Sequence, residues 1–479
     1  MKTLLLHPIV PFRVLWGKFH RGGGFIPPMG LLSIASYIRL KGYEVEILDT
    51  GIDGMNEGDL EKLLKEKKYD VVGIPCFTNT ANYTFKTAHL VRKALPDTLI
   101  VLGGVHATVL PEETLVECPD ADIAVIAEGE ITFLELLDWK SGKNGYLRLQ
   151  DIKGIAFRDG AALKRSALRP PIRDLDSLPM PAYDLLKMKR YVPHPTQYKR
   201  LPSFPILTTR GCPFLCTFCS ASKVHGNKLR VRGLDRVFEE IDVLIDRYGA
   251  RGLYIQDSSF THLRRYAANF CNRLLKEKYN LSWMCNARVD QIDGELVRLM
   301  KKAGCWQITI GIESANEPSL KLIKKHQTKE QMVKAVSIVK KAGIQVMACY
   351  ILALPKETPE DVENTINFAR SLATHTALFF LPVPYPGTEL LEQCRRYGGL
   401  RKDVRWADYN STDFSNPIYV NPLLGKKRML AYYNNAHAKF YGSPKVIISN
   451  VLSIKSFEDI KRYGRACSAL LGLADQAER

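Results

Sequence analysis

No apolar run in this 479-residue sequence reaches the roughly 18–20 residues that a membrane-spanning helix requires. The opening Met1-Lys2-Thr3-Leu4-Leu5-Leu6 is cut short by His7, Pro8, Pro11 and Arg13, so it reads as a buried first strand rather than a secretory leader. Long polar tracts are also missing. With 46% hydrophobic and 25% charged residues the balance is that of a globular chain, which excludes extended disorder and fibrous repeats. A disulfide framework is lacking too: eleven cysteines is an odd count, and eight of them lie scattered in apolar segments. That is the usage of a reducing cytosol and places the protein in the cytoplasm. Acidic residues are scarce, 50 against 68 basic, but unevenly so. Residues 1–150 hold 16 basic and 19 acidic side chains, and the remainder carries the whole excess of the +18 net charge.

At this length two or three domains are expected. Residues 1–140 alternate short β-rich runs with helical patterns: Lys2–Leu6, Tyr43–Leu48, Val71–Ile74, Leu99–Leu102 and Ile123–Ile126 as strands, and Leu31–Leu40, Leu60–Glu66 and Ala81–Ala94 as helices. Five such strands indicate a Rossmann-like, doubly wound parallel sheet, in which ligands sit at the carboxyl ends of strands. The residues at those ends are Pro28, Met29 and Gly30, then Thr78 and Asn79, then Gly103, Gly104 and His106, then Glu128 and Gly129. Residues 141–205 form a connector with one expected strand, Gly154–Phe157, and eight prolines after position 169. From 206 to about 390 six strand–helix steps follow, beginning at Ile206–Thr209 and ending at Ala377–Leu381. They predict a parallel (βα)6 partial barrel, with residues 391–479 as a mostly helical extension that caps it. The fold class is therefore α/β throughout.

Directly after the first barrel strand stand Cys212, Cys216 and Cys219, a C-x3-C-x2-C run on one short loop where three thiolates can meet a metal centre. Structural zinc usually takes four ligands from two separated pairs. A second pair is missing here, with His225 the nearest candidate. Three thiolates on a 4Fe–4S cluster leave one iron open to a small molecule.

This spacing, with the aromatic Phe218 before the last cysteine, resembles the radical S-adenosylmethionine (SAM) superfamily over about residues 206–390. The resemblance implies that Cys212, Cys216 and Cys219 ligate the cluster and that SAM occupies the open iron, to be cleaved to a 5′-deoxyadenosyl radical. It further implies SAM contacts from Asp257 and Ser258 after the second strand, Asn286 and Arg288 after the third, and Glu313 and Ser314 after the fourth. Glu313 taken alone is an ordinary strand-end carboxylate. Lys325, with Lys324 as its alternative, is the candidate partner of the SAM carboxylate; a solvated helix face is the competing reading. Ala353-Leu354-Pro355-Lys356-Glu357-Thr358 departs from the family's Gly-Leu-Pro-Gly-Glu-Thr at both glycines, and Pro384-Tyr385-Pro386-Gly387-Thr388 matches a motif after the last strand.

With the first domain included, the chain is similar to the cobalamin-binding radical SAM group, which contains the anaerobic magnesium-protoporphyrin ester cyclase and radical methyltransferases. The D-x-H-x-x-G motif of domains that supply a lower axial histidine is absent, and His106 has the alternative of being a hydrogen-bonded loop residue. The resemblance thus implies cobalamin bound base-off, with no protein histidine ligand. It implies methylation of an unactivated carbon of a small-molecule or lipid-like substrate, or cyclisation, carbon–carbon coupling or rearrangement with the same cofactors. An RNA-modifying methylthiotransferase would carry a second cluster on three N-terminal cysteines; residues 1–150 hold Cys76 and Cys118 alone. The basic stretches lack the aromatic interleaving of nucleic-acid binders, so no nucleic-acid partner is expected. The positive body instead predicts an acidic electron donor of the flavodoxin or ferredoxin type, an anionic substrate, or peripheral contact with a lipid surface.

Overall fold

The computed structural model describes residues 1–17, 23–143, 145 and 148–474, with side chains up to 465. Cys467 and the end of the last expected helix lie outside the described side chains.

The first sheet holds seven strands: β1 (Lys2–His7), β2 (Glu44–Asp49), β3 (Val71–Pro75), β4 (Leu99–Gly103), β5 (Ile123–Val125), β6 (Ile155–Asp159) and β7 (Ala162–Arg165), in the order β2-β1-β3-β4-β5-β6-β7. β1 to β5 run parallel, while β6 and β7 add an antiparallel edge. The sheet therefore continues past residue 140 into what the proline pattern marks as connector. Its central strands are continuous Val, Ile and Leu runs because both faces are covered. Leu5, Val71, Val101 and Val125 point to the helices Met29–Leu40 and Glu130–Ser141, and Leu4, Leu6, Val72 and Ile74 point to Glu57–Lys67 and Ala81–Ala94.

The rest of the connector crosses to the second body as four short turns and buries three tyrosines, Tyr183, Tyr191 and Tyr198. Tyr183 donates to Glu240 at 2.6 Å, and Tyr191 donates to Asp49 at 2.7 Å. One strut thus ties the connector to each domain.

The second sheet contains β8 (Ser203–Ile206), then, after the ribbon of β9 (Thr209–Arg210) and β10 (Arg230–Val231), the strands β11 (Gly252–Ile255), β12 (Ser282–Ala287), β13 (Cys305–Glu313), β14 (Gln345–Ile351) and β15 (Thr376–Phe380). Six parallel neighbours in the order β15-β14-β13-β12-β11-β8 form the open, partial barrel. The first strand lies three residues earlier than the expected Ile206–Thr209. Its ladder ends where Gln256 N–H donates to Ile206, and the Thr208 and Thr209 N–H groups donate to the Asp257 carboxylate instead of to a strand. Pro205 is tolerated because β8 is an edge strand.

Helices between these strands bury one apolar stripe each, as in Leu234–Tyr248 with Val237, Phe238, Ile241 and Leu244 inward. The helix Gly425–Tyr441 caps the β15 side, with Tyr433 and Phe440 buried near Phe379. Residues 400–421 strap back across both domains: Asn410 donates to Val14 O at 2.9 Å, and Asn421 donates to Leu354 O at 2.8 Å. Among the described residues no helix is long and apolar enough to cross a membrane.

Candidate functional site

The cysteine loop is held at its base by the β9–β10 ribbon. Gly211 has φ +94°, and a Cβ there would lie 2.2 Å from Lys228 O, so only glycine allows the two arms to approach. Cys212 N–H donates to Gly226 O and Cys219 N–H to Cys216 O. Phe218 anchors the loop by packing on Ile323, Ile351 and Leu354. Cys212 and Cys216 are half-buried and Cys219 is exposed. Among the described residues no three His, Cys, Asp or Glu side chains gather closely enough to hold one metal ion. Three thiolates on one loop would leave one iron of a cubane cluster open, whereas a structural zinc usually takes four ligands. Two cations sit beside the loop. Arg288 Nη1 lies 3.9 Å from Cys216 Sγ, with its guanidinium 3.8 Å over the Phe214 ring, and is fixed by Asp290 and Lys325 O. Burial pushes the Cys216 thiol up, against the pull of Lys325 and Arg288. The donor set fits an iron–sulfur cluster, whose negative charge these cations offset.

The carboxyl ends of the barrel strands gather some of the expected SAM residues and separate others. Glu313 and Lys325, both buried, pair at 2.7 Å next to the loop. Gly311 makes room, since a Cβ there would meet Glu313 Oε1 at 2.3 Å. Burial opposes the Lys325 charge, but Glu313 and the Cys216 thiolate outweigh it and hold its pKa above the ordinary lysine value. Lys324 instead pairs with Glu389 on the surface, so the neighbouring lysines part company. Asp257 is fully buried and spends its oxygens on Thr208 and Thr209; burial raises its pKa in spite of them. Ser258 beside it is exposed, and Asn286 donates to Asp257 O at 3.0 Å. Ser314 turns away from the barrel mouth to donate to Glu357 at 2.9 Å, because Glu357, Asn316 and Thr365 form a buried polar network behind the strand ends.

The departures from Gly-Leu-Pro-Gly-Glu-Thr fall where the backbone is left-handed: Ala353 has φ +63° and Lys356 φ +71°. The turn keeps its shape although both residues carry a Cβ, at about 1 kcal/mol each. Lys356→Gly should therefore stabilise the protein by about 0.5–1 kcal/mol in a denaturant titration, and Ala353→Val should destabilise it by about 2 kcal/mol.

A cavity of about 830 Å³ runs from the first sheet to the flank of the cysteine loop. Pro28, Met29 and Gly30 at a helix start, Gly103 and Gly104 at the end of β4, and Glu128 and Gly129 past β5 line one side. Arg210, Ser220, His225 and Tyr254 face them. A deep apolar floor reaches Leu5, Gly73, Val101 and Phe133; a Cβ on Gly73 would lie 2.8 Å from both Leu5 and Phe133. Gly104, at φ +95°, approaches Cys76 O so closely that a Cβ would sit at 2.9 Å. A cradle of bare backbone over an apolar slot fits a corrin with an extended nucleotide tail.

Three expected ligands of that cavity lie elsewhere. His106 is buried beneath Trp406, ring centroids 4.6 Å apart, and does not line the cavity. Its Nδ1 is 3.4 Å from Thr78 Oγ1, its Nε2 has no partner, and burial lowers its pKa to about 4. Thr78 and Asn79 lie in the short turn Thr78–Thr80 after β3, behind Phe77, which takes the cavity position instead. Aromatic packing against the 400–421 strap explains the placement, and nothing in the local sequence reveals that strap.

Glu128 does more than line the cavity. Arg230 grips it with both nitrogens at 2.9 Å, Arg210 reaches it at 3.4 Å, His225 Nδ1 at 3.2 Å, and Ile172 N–H donates at 2.8 Å. Glu130, also buried, accepts from Arg210 at 2.6 Å and from Ser33 at 2.7 Å. Burial would raise Glu128, but His225, Arg230 and Arg210 hold its pKa at about 2. The first sheet is thus clamped to both arms of the cysteine loop. Arg210, Arg230 and the slot residues Gly73 and Phe133 are the positions of this cavity and clamp that motif reading misses. Arg210 could have been singled out by its place two residues before Cys212.

Residues 206–369 match the Radical SAM superfamily model, and residues 19–137 match the B12 binding domain model. An uncharacterized methyltransferase of Pyrococcus horikoshii, PH0819, is 32% identical over 431 residues, covering 90% of this chain and 91% of that one. The chain belongs to the cobalamin-binding radical SAM enzymes. The anaerobic magnesium-protoporphyrin IX monomethyl ester cyclase of Rubrivivax gelatinosus is 28% identical, with 92% of this radical SAM chain and 77% of the cyclase covered. The fold of this radical SAM chain matches that of TsrM, a radical SAM methyltransferase from Kitasatospora setae solved with cobalamin and a [4Fe-4S] cluster, with a TM-score of 0.72, 17% identity and 99% of both chains covered.

Proposed function

We propose that this radical SAM enzyme methylates an unactivated carbon of a small-molecule or lipid-like substrate, with cobalamin held base-off. One observation carries the reading: a single cavity joins the glycine cradle of the first sheet to the flank of the cysteine loop. Both cofactors would open on one enclosure, shielded from water by the Glu128–Arg210–Arg230 clamp. When bound, the reduced cluster would supply the electron that breaks a carbon–sulfur bond of SAM, and the corrin would carry the methyl group. Cys212, Cys216 and Cys219 would hold the cluster; Arg288 and the Lys325–Glu313 pair would orient SAM at its side. The apolar floor at Leu5, Gly73, Val101 and Phe133 would take the displaced base. Two histidines line the cavity: His225, whose Nδ1 is held by Glu128, and His7, beside Asp49 at 3.7 Å; neither has the D-x-H-x-x-G context of an axial ligand. That supports binding without a protein imidazole beneath cobalt. An acidic one-electron donor is proposed for the reduction, drawn by the net positive charge.

The test is product mass after anaerobic turnover with SAM and reductant. A gain of one CH2 supports methyl transfer; turnover without it favours the cyclisation that the cyclase relatives perform. The cofactor arm is separate. Gly103 lines the cavity without a left-handed φ, and a Cβ there meets nothing nearer than Val125 at 3.9 Å. Gly103→Val should therefore cut corrin affinity at least about tenfold, or ~1.4 kcal/mol, with an unchanged melting curve. A nitrogen splitting from protein in the paramagnetic resonance spectrum of the Co(II) form would overturn the base-off, histidine-free assignment.

A further inference from the structure

The helix Pro444–Leu452 is amphipathic in the wrong sense for a helix that only caps a barrel. Its inward side is narrow: Asn450 Nδ2 donates to His375 O at 3.0 Å, and Val446 is its sole buried residue. Ile447, Ile448, Val451 and Leu452 face outward at 49% to 65% exposure. The pattern continues through Ile454 into the next helix, Phe457–Ala474. There Asp459 and Arg462 turn inward, Arg462 lying 4.8 Å over the Trp306 ring, while Phe457 is 69% and Ile460 54% exposed. Seven large apolar side chains are thus exposed within residues 447–460; no other stretch of that length among the described residues exposes more than two. An isolated exposed leucine needs no explanation, but a contiguous patch marks an interaction surface.

We propose that this face docks on an anionic lipid surface. The charges that share it decide the occupant. Lys445, Lys455 and Lys461 are exposed around the apolar patch, whereas Glu458 is paired with Arg251 at 2.8 Å and Asp459 is buried. An apolar strip flanked by lysines is the pattern of an interfacial helix, whose side chains insert below the headgroups while the ammonium groups meet lipid phosphates. A second copy docked on the same face by a two-fold axis would bring lysines against lysines. The patch also lies at the entry ends of the strands, where Tyr463 approaches Gln345 at the start of β14 and Asn450 meets His375 before β15. Docking there leaves the cavity and the cysteine loop at the opposite ends free.

Co-sedimentation of the full-length protein with vesicles tests this. Binding is expected to phosphatidylcholine vesicles containing roughly one-third phosphatidylglycerol, to fall with added salt, and to vanish on phosphatidylcholine alone. Ile448→Glu with Leu452→Glu, both at exposed positions, should weaken binding at least about tenfold with an unchanged melting curve. Lys445→Glu with Lys461→Glu should do the same through charge. Absence of binding to the anionic vesicles, or binding that neither pair of substitutions weakens, would overturn the proposal. So would a dimer in lipid-free solution that Ile448→Glu with Leu452→Glu dissociates, which would assign the face to a second copy.

Discussion

Glu128→Ala should destabilise the protein by about 3–5 kcal/mol, the cost of removing one partner from a buried ion-pair cluster. The substitution leaves the guanidinium groups of Arg210 and Arg230, 12% and 11% exposed, facing each other without their shared carboxylate. The sign of the pH dependence follows from the depressed pKa. Glu128 titrates at about 2 in the folded protein against an ordinary value of 4.5. Its contribution is present in full above pH 4.5 and is lost as pH falls towards 2, amounting to about 3 kcal/mol. Urea titrations between pH 7 and pH 3 should show this acid loss in the natural protein. Glu128→Gln, which keeps some of the hydrogen bonds without the charge, should start lower at pH 7 and fall less steeply. An equal acid slope in the two proteins would remove Glu128 from its place as the keystone between the domains. Because the same carboxylate walls the cavity, the variants should also hold corrin more weakly.

That keystone marks where sequence reading stops. Apart from β8, which lies three residues early, and the edge strand β7, which is not read, the strands of both sheets are legible to within about two residues from Val, Ile and Leu runs, because a doubly covered strand has no polar face to blur the pattern. The cysteine loop is legible because its spacing is chemical. Glu128 and Gly129 are legible as strand-end residues, but the partners of Glu128 are not: Arg210 and Arg230 lie 82 and 102 residues away. His106 shows the opposite error. A histidine after two glycines at a strand end has the right address for a ligand, and only Trp406, brought over by the 400–421 strap, turns it into packing. Asp257 and Ser314 likewise sit at the expected strand ends with their hydrogen bonds already spent on Thr208 and Glu357. Sequence position fixes which strand end a residue occupies; the fold decides which way its polar atoms face. The turn at 353–358 is the converse case. Two glycines of the family motif are replaced, yet Ala353 and Lys356 keep the left-handed backbone those glycines would adopt.

The Lys325–Glu313 pair gives the second large effect, and a double-mutant cycle separates its structural part from its chemical part. Each side chain is only 8% exposed, and each is the other's counter-charge at 2.7 Å. Lys325→Met alone strands a buried carboxylate and Glu313→Gln alone strands a buried ammonium, so each should cost about 3–5 kcal/mol. The double substitution leaves no unpaired charge and should recover much of the loss, with a coupling energy of about 2 kcal/mol or more. With Cys212, Cys216 and Cys219 intact, the double variant should still take up iron on reconstitution. If the pair also orients SAM, that refolded, cluster-loaded variant should bind SAM about a hundredfold more weakly, a loss of ~2.7 kcal/mol. The decisive comparison is between SAM affinity and stability in the same protein. Recovery of stability together with undiminished SAM affinity would make the pair a packing device beneath the loop. Recovery of stability without affinity would place Glu313 and Lys325 in the SAM site, where the left-handed backbone of Glu313 and the bare backbone of Gly311 leave room for the pair.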